Sequence, residues 1–156
     1  MKRGSIAFAL AALAAPALAG AVAPGDVVFD DEGKVAAPLS DTPGDPAAGK
    51  KVFSSRSLGN CVACHSVSSL TDVQWPGEVG PELDGIGARR SVEELRGIVA
   101  DAKKTFEGSM MPSFYRVTGF IRPGDAFTGK AAKEITPLLS AQEIEDVVAF
   151  LATLKD

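Results

Sequence analysis

Histidine occurs once in this 156-residue sequence, cysteine twice, methionine three times, and tryptophan and tyrosine once each. The single histidine and the two cysteines fall short of the four ligands of a structural zinc site. Cations are scarce as well: 16 Lys and Arg stand against 20 Asp and Glu, for a formal charge of −4. That balance argues against nucleic acid as a partner, because phosphate binding needs clustered Lys and Arg. No apolar run reaches the about 20 residues that a membrane-crossing helix requires. No segment reads as paired strands and no repeat is visible, so the length implies one domain with its own core.

What is present begins with a basic start, Met1-Lys2-Arg3, an apolar run over 6–18 and the small residues Ala17-Leu18-Ala19. This order is the signature of a secretory signal peptide, expected over 1–19. Cleavage after Ala19 would remove two of the 16 basic residues and leave a charge of −6. Residues 20–44, rich in Pro, Gly, Ala and Asp, read as an irregular N-terminal arm. It is either draped over the domain or a partner, or free.

Three helices follow. Asp45-Pro46 sets an N-cap ahead of proline at the first helical position, opening a helix through Phe53. Ser91-Val92-Glu93-Glu94 is a capping box, after which Val92, Leu95 and Val99 recur at helical spacing. Ser140-Ala141-Gln142-Glu143 is a second one, followed by the stripe Ile144, Val147, Val148, Leu151 and Leu154. Long loops over 66–86 and 112–137 separate them. Loops of that length in a compact domain perform a function or wrap around something.

Cys61-Val62-Ala63-Cys64-His65 gathers both cysteines and the only histidine. It is the attachment pattern of a c-type haem. On a helical turn, residues three and four apart share a face. Cys61 and Cys64 can therefore meet the two vinyl groups as thioethers, while His65, one turn beyond Cys61, reaches the iron. A thioredoxin-type dithiol would need a βαβ context, and a plain disulfide would close a tiny loop and leave the histidine unexplained.

With one histidine, bis-histidine ligation is excluded. Met1 leaves with the signal peptide, so a six-coordinate iron would draw its other ligand from Met110 or Met111. Pro112 favours Met111, because the residue before proline is driven into an extended conformation and can project from a loop. Ordinary core filling is the plain alternative for the pair, and an open sixth site the alternative for the metal. His/Met ligation closes both axial positions and raises the potential, which suits single-electron transfer rather than bond-making.

Over 45–156 the chain resembles the class I cytochromes c. Gly49, Lys50, Val52 and Phe53 look like the family's first helix, and Val147-Val148-Ala149-Phe150-Leu151 like its last. The resemblance implies an all-α fold of a few helices and long loops around one covalent haem. It also implies that Gly49 and Phe53 cross Val147 and Phe150. Gly80-Pro81-Glu82-Leu83 resembles the segment whose proline carbonyl accepts the haem histidine's free N–H. By that likeness Pro81 orients His65 and Leu83 packs on the ring.

More narrowly, Gly59-Asn60-Cys61, the run 108–116 around Met111 and the run 140–154 resemble the SoxX family, the monohaem subunits of the SoxAX cytochromes of bacterial sulfur oxidation. The links from Phe53 to Cys61 and from Met111 to the last helix are longer than in common small class I proteins. This likeness implies a periplasmic heterodimer with a SoxA-like haem subunit. That partner's reactive cysteine is joined oxidatively to thiosulfate, and the chain takes up the electrons and passes them to another cytochrome c. The chain has no catalytic thiol of its own, since haem attachment consumes both cysteines. Phe114, Tyr115, Phe120 and Phe127 mark the 112–137 loop as a partner surface, although Phe114 and Tyr115 could equally fold back over the haem. Trp75 is expected to pack under its own loop, with a haem propionate or a partner as other possible contacts. Three other readings remain: a freestanding periplasmic shuttle, an open-iron haem enzyme or gas binder, and a zinc or dithiol module.

Overall fold

The structure, a computed structural model, describes residues 20–121, 123 and 129–156. The signal-peptide expectation over 1–19 and the expectation for Phe127 lie outside them. Among the described residues there are four α-helices, α1 (Pro46–Ser54), α2 (Ile86–Arg89), α3 (Val92–Asp101) and α4 (Ala141–Thr153), with short 3-10 turns between them and no β-sheet. None of these helices is long and apolar enough to cross a membrane.

The helix starts are where the local chemistry places them. Asp45 Oδ1 accepts from the Ala47 N–H at 2.9 Å, with Pro46 at the first helical position. Ser91 with Glu94, and Ser140 with Glu143, form complete capping boxes. Each cap satisfies amide groups that have no partner within the helix. α4 buries Ile144, Val147, Val148 and Leu151. Val92, counted into the α3 stripe, is 40% exposed instead; it is the first helical residue, where the chain is still turning off the surface. The short helix α2 lies where the loop was expected to be ending.

α1 crosses α4, and the crossing is close because Gly49 has no side chain: a Cβ there would collide with the Asp146 carbonyl oxygen and sit 2.9 Å from the Phe150 Cβ. Phe53 meets Phe150 edge-on, with ring centroids 5.4 Å apart. The expected pairing of Gly49 and Phe53 with the last helix is therefore present, with Asp146 rather than Val147 as the backbone neighbour of Gly49. The aromatic pair fills the space on one side of the gap that glycine leaves.

The arm over 20–44 is draped on the domain. Val35 and Leu39 are each 1% exposed. Their backbones are tied down by a buried ion pair between α3 and α4: Arg96 Nε donates to Glu145 Oε1 at 2.7 Å and Arg96 Nη1 to the Val35 carbonyl at 2.9 Å, while Glu145 Oε1 also accepts from the Leu39 N–H at 2.8 Å. A buried charge pair is tolerable only when its remaining valences are hydrogen-bonded, and here the arm's backbone completes them.

Glu145→Ala would leave Arg96 buried without its counter-charge. We expect a loss of about 3–5 kcal/mol in unfolding free energy and faster hydrogen exchange at the Leu39 amide; unchanged stability in denaturant titrations would contradict this role.

Candidate functional site

The Cys61–Ala63 3-10 turn is entered from Asn60, whose backbone is left-handed (φ 48°). The His65 N–H donates to the Cys61 carbonyl at 2.9 Å and the Cys64 N–H to the same oxygen at 3.1 Å. The spacing thus folds as a single tight turn, with Cys61, Cys64 and His65 all half-buried. The two cysteines are not joined in a disulfide. Burial pushes the Cys61 thiol up to about 12, whereas redox-active dithiols owe their reactivity to a depressed value. Among the described residues no group of three or more His, Cys, Asp and Glu side chains is disposed to hold a metal ion.

A second stretch of backbone is laced onto this turn. The N–H groups of Gly77, Gly80 and Leu83 donate to the carbonyls of Val62, Cys64 and Ser66 at 2.9, 2.7 and 3.0 Å. Two of the three donors are glycines for steric reasons: a Cβ at Gly77 would collide with the Ala63 carbonyl oxygen, and one at Gly80 would lie 2.6 Å from His65 Nδ1 and 2.7 Å from Nε2. The imidazole therefore lies against the bare Cα of Gly80. Its Nδ1 is 2.7 Å from the Pro81 carbonyl oxygen. A carbonyl can only accept, so Nδ1 carries the proton and the Nε2 lone pair is left to bind a metal.

Met110 and Met111 part company. Met110 is 83% exposed, while Met111 is partly buried and packs against the hydrophobic core. Leu83 packs there as well. The residues fit a covalent haem c: two thiols on one turn, an imidazole whose Nδ1–H is held by a backbone carbonyl so that Nε2 is left free, and a glycine against which that imidazole lies.

The aromatic loop divides. Phe114 and Tyr115 are 5% and 6% exposed and fold inward: the Tyr115 N–H donates to the Ala100 carbonyl at 3.0 Å and its hydroxyl to the Val22 carbonyl at 2.5 Å. Phe120 stays on the surface beneath the Arg116 guanidinium, 4.7 Å from its ring centre. Trp75 departs from expectation. It is 93% exposed, with a left-handed backbone (φ 59°), at the edge of a groove of about 920 Å³ shared with Lys50, Lys51 and Val62. Its left-handed backbone turns the indole to solvent rather than under the loop.

A family model for cytochrome c matches residues 46–155. The chain belongs to the cytochrome c family. Within it, this chain is similar to a chain of the SoxXA crystal structure from P. pantotrophus, at 55% identity and a TM-score of 0.83, with 87% of this chain and 99% of that one covered. Ferric cytochrome c-550 from Paracoccus versutus is 25% identical with a TM-score of 0.40, covering 72% of this chain and 99% of its own. A search of curated protein sequences finds no match.

The glycine cradle was legible only as a motif; that Gly80 makes room for the imidazole emerges from the fold. Gly80→Ala is expected to push the ring off the Pro81 carbonyl. Proton NMR should then show the His65 Nδ1–H exchanging faster with solvent, and an unchanged exchange rate would contradict the steric account.

Proposed function

We propose that this chain is the electron-accepting monohaem subunit of a periplasmic SoxAX-type L-cysteine S-thiosulfotransferase complex. The observation that carries the reading is the 55% identity over 99% of a SoxXA chain, joined to an attachment turn that retains both cysteines and the oriented histidine. When bound, a haem c with histidine and methionine ligands takes up and releases one electron at a time at a raised potential.

Each residue has a part in that work. Cys61 and Cys64 tether the porphyrin covalently. His65 Nε2 would hold the iron, and the hydrogen bond from Nδ1 to the Pro81 carbonyl holds the imidazole's orientation and makes it a stronger donor. Met111, the half-buried member of its pair, would supply the other iron ligand, and Leu83 would pack on the porphyrin. With both thiols committed, the sulfur-conjugating cysteine belongs to a SoxA-like partner, and the electrons leave toward another cytochrome c. The leader sequence over 1–19 supports export to the periplasm. Phe120 and Ile121, exposed in the described part of the 112–137 loop, are on the face offered to the partner.

Two measurements test this reading. Met111→Ala should lower the reduction potential and turn carbon monoxide binding by the reduced protein from undetectable to stoichiometric, while Met110→Ala leaves both near the parent; the reverse pattern would overturn the ligand assignment. Co-expressed with a SoxA-type subunit, the chain should co-purify as a one-to-one complex, whereas elution alone would favour a freestanding shuttle.

A further inference from the structure

The last turn of α3 holds a carboxylate in an unusual place. Asp101 is 4% exposed, and a buried carboxylate must be hydrogen-bonded to be tolerable. Its Oδ1 accepts from the Ser113 hydroxyl at 2.5 Å and from the Lys103 N–H at 3.3 Å, and its Oδ2 is 3.9 Å from Arg116 Nη1. Two residues on, the Lys103 ammonium donates to the Met111 carbonyl at 2.6 Å. Ser109 Oγ accepts from the Met111 N–H at 3.3 Å, and the Tyr115 N–H reaches back to the Ala100 carbonyl at 3.0 Å. The loop is therefore stapled to the end of α3 and the 3-10 turn after it at Met111 itself and on its C-terminal side, with Pro112 restricting the backbone between. The ammonium closes on the carbonyl of Met111, and Met110 is left pointing to solvent.

We propose that Asp101, Ser113 and Lys103 are positioning residues: they clamp the Met111 loop so that its thioether outcompetes external ligands at the sixth position. The inference rests on Met111 as the axial donor. A thioether is a neutral, weak donor, so its hold on a metal depends on how little freedom the loop regains when the bond opens. Pre-organisation of this kind strengthens binding without adding a contact to the bound atom. Their bonds run to the Met111 carbonyl and to one another.

The test is titration of the ferric full-length holoprotein with imidazole, alongside the red-edge charge-transfer band of a thioether–iron bond. Ser113→Ala and Lys103→Met should each raise imidazole affinity about 3- to 10-fold, the scale of one lost hydrogen bond. Asp101→Asn should act in the same direction. Ser113→Thr and Lys103→Arg, which keep the donors, should restore parental affinity. Lys104→Met, which removes a charge from the same turn without touching the loop, should change nothing. Folded Ser113→Ala and Lys103→Met proteins with parental imidazole affinity would overturn the clamp. Should Asp101→Asn fail to fold, the other two substitutions decide. If the parent lacks the charge-transfer band, or Met111→Ala binds imidazole no better than the parent, the ligand assignment itself falls and the clamp with it.

Discussion

In its proposed role His65 would hold an iron, which needs an imidazole fixed in rotation as well as in place, and the backbone from Asn60 to Leu83 fixes it so. The attachment turn closes on itself through the Cys61 carbonyl, and residues 77–83 are then hydrogen-bonded onto it at three points. The lacing brings the Pro81 carbonyl to His65 Nδ1, and the same proximity leaves no room for any side chain at residues 77 and 80. Ring orientation, tautomer and glycine usage are thus three consequences of one close backbone approach.

The rest of the fold serves to keep that turn in place. α1 leads into it through residues 55–60 and is held against α4 by the glycine contact and by the Phe53–Phe150 pair. The arm, which in sequence looked like loose coil, completes the hydrogen bonding of a buried arginine–glutamate pair. Its attachment links the start of the described chain to both α3 and α4. Few helices and long loops make a lean core, consistent with a domain that buries a large apolar prosthetic group as part of its interior.

Much of this was legible in the sequence, for identifiable physical reasons. Caps are local: Asp45, Ser91 and Ser140 announce helices because their side chains bond amides two or three residues away. The attachment turn is legible because five consecutive residues contain all of its chemistry. Less was legible where partners are far apart in the chain. Nothing near Arg96 reveals that it will meet Glu145, and the arm's path depends on that pair. The inward course of Phe114 and Tyr115, the outward course of Trp75 and the staples around Met111 all depend on backbone groups that no periodicity reports. Met111 could be favoured over Met110 from the following proline, but the reason it alone packs against the core lies in the loop's anchorage to α3.

The account stands on the covalent union of a porphyrin with Cys61 and Cys64. Its most direct test is the intact mass of the purified, fully denatured protein, read together with its visible absorbance. The account predicts a polypeptide heavier by one haem, with the colour travelling with the unfolded chain through organic extraction. A denatured chain at the mass of the bare polypeptide, with its colour extracted or absent, would contradict it.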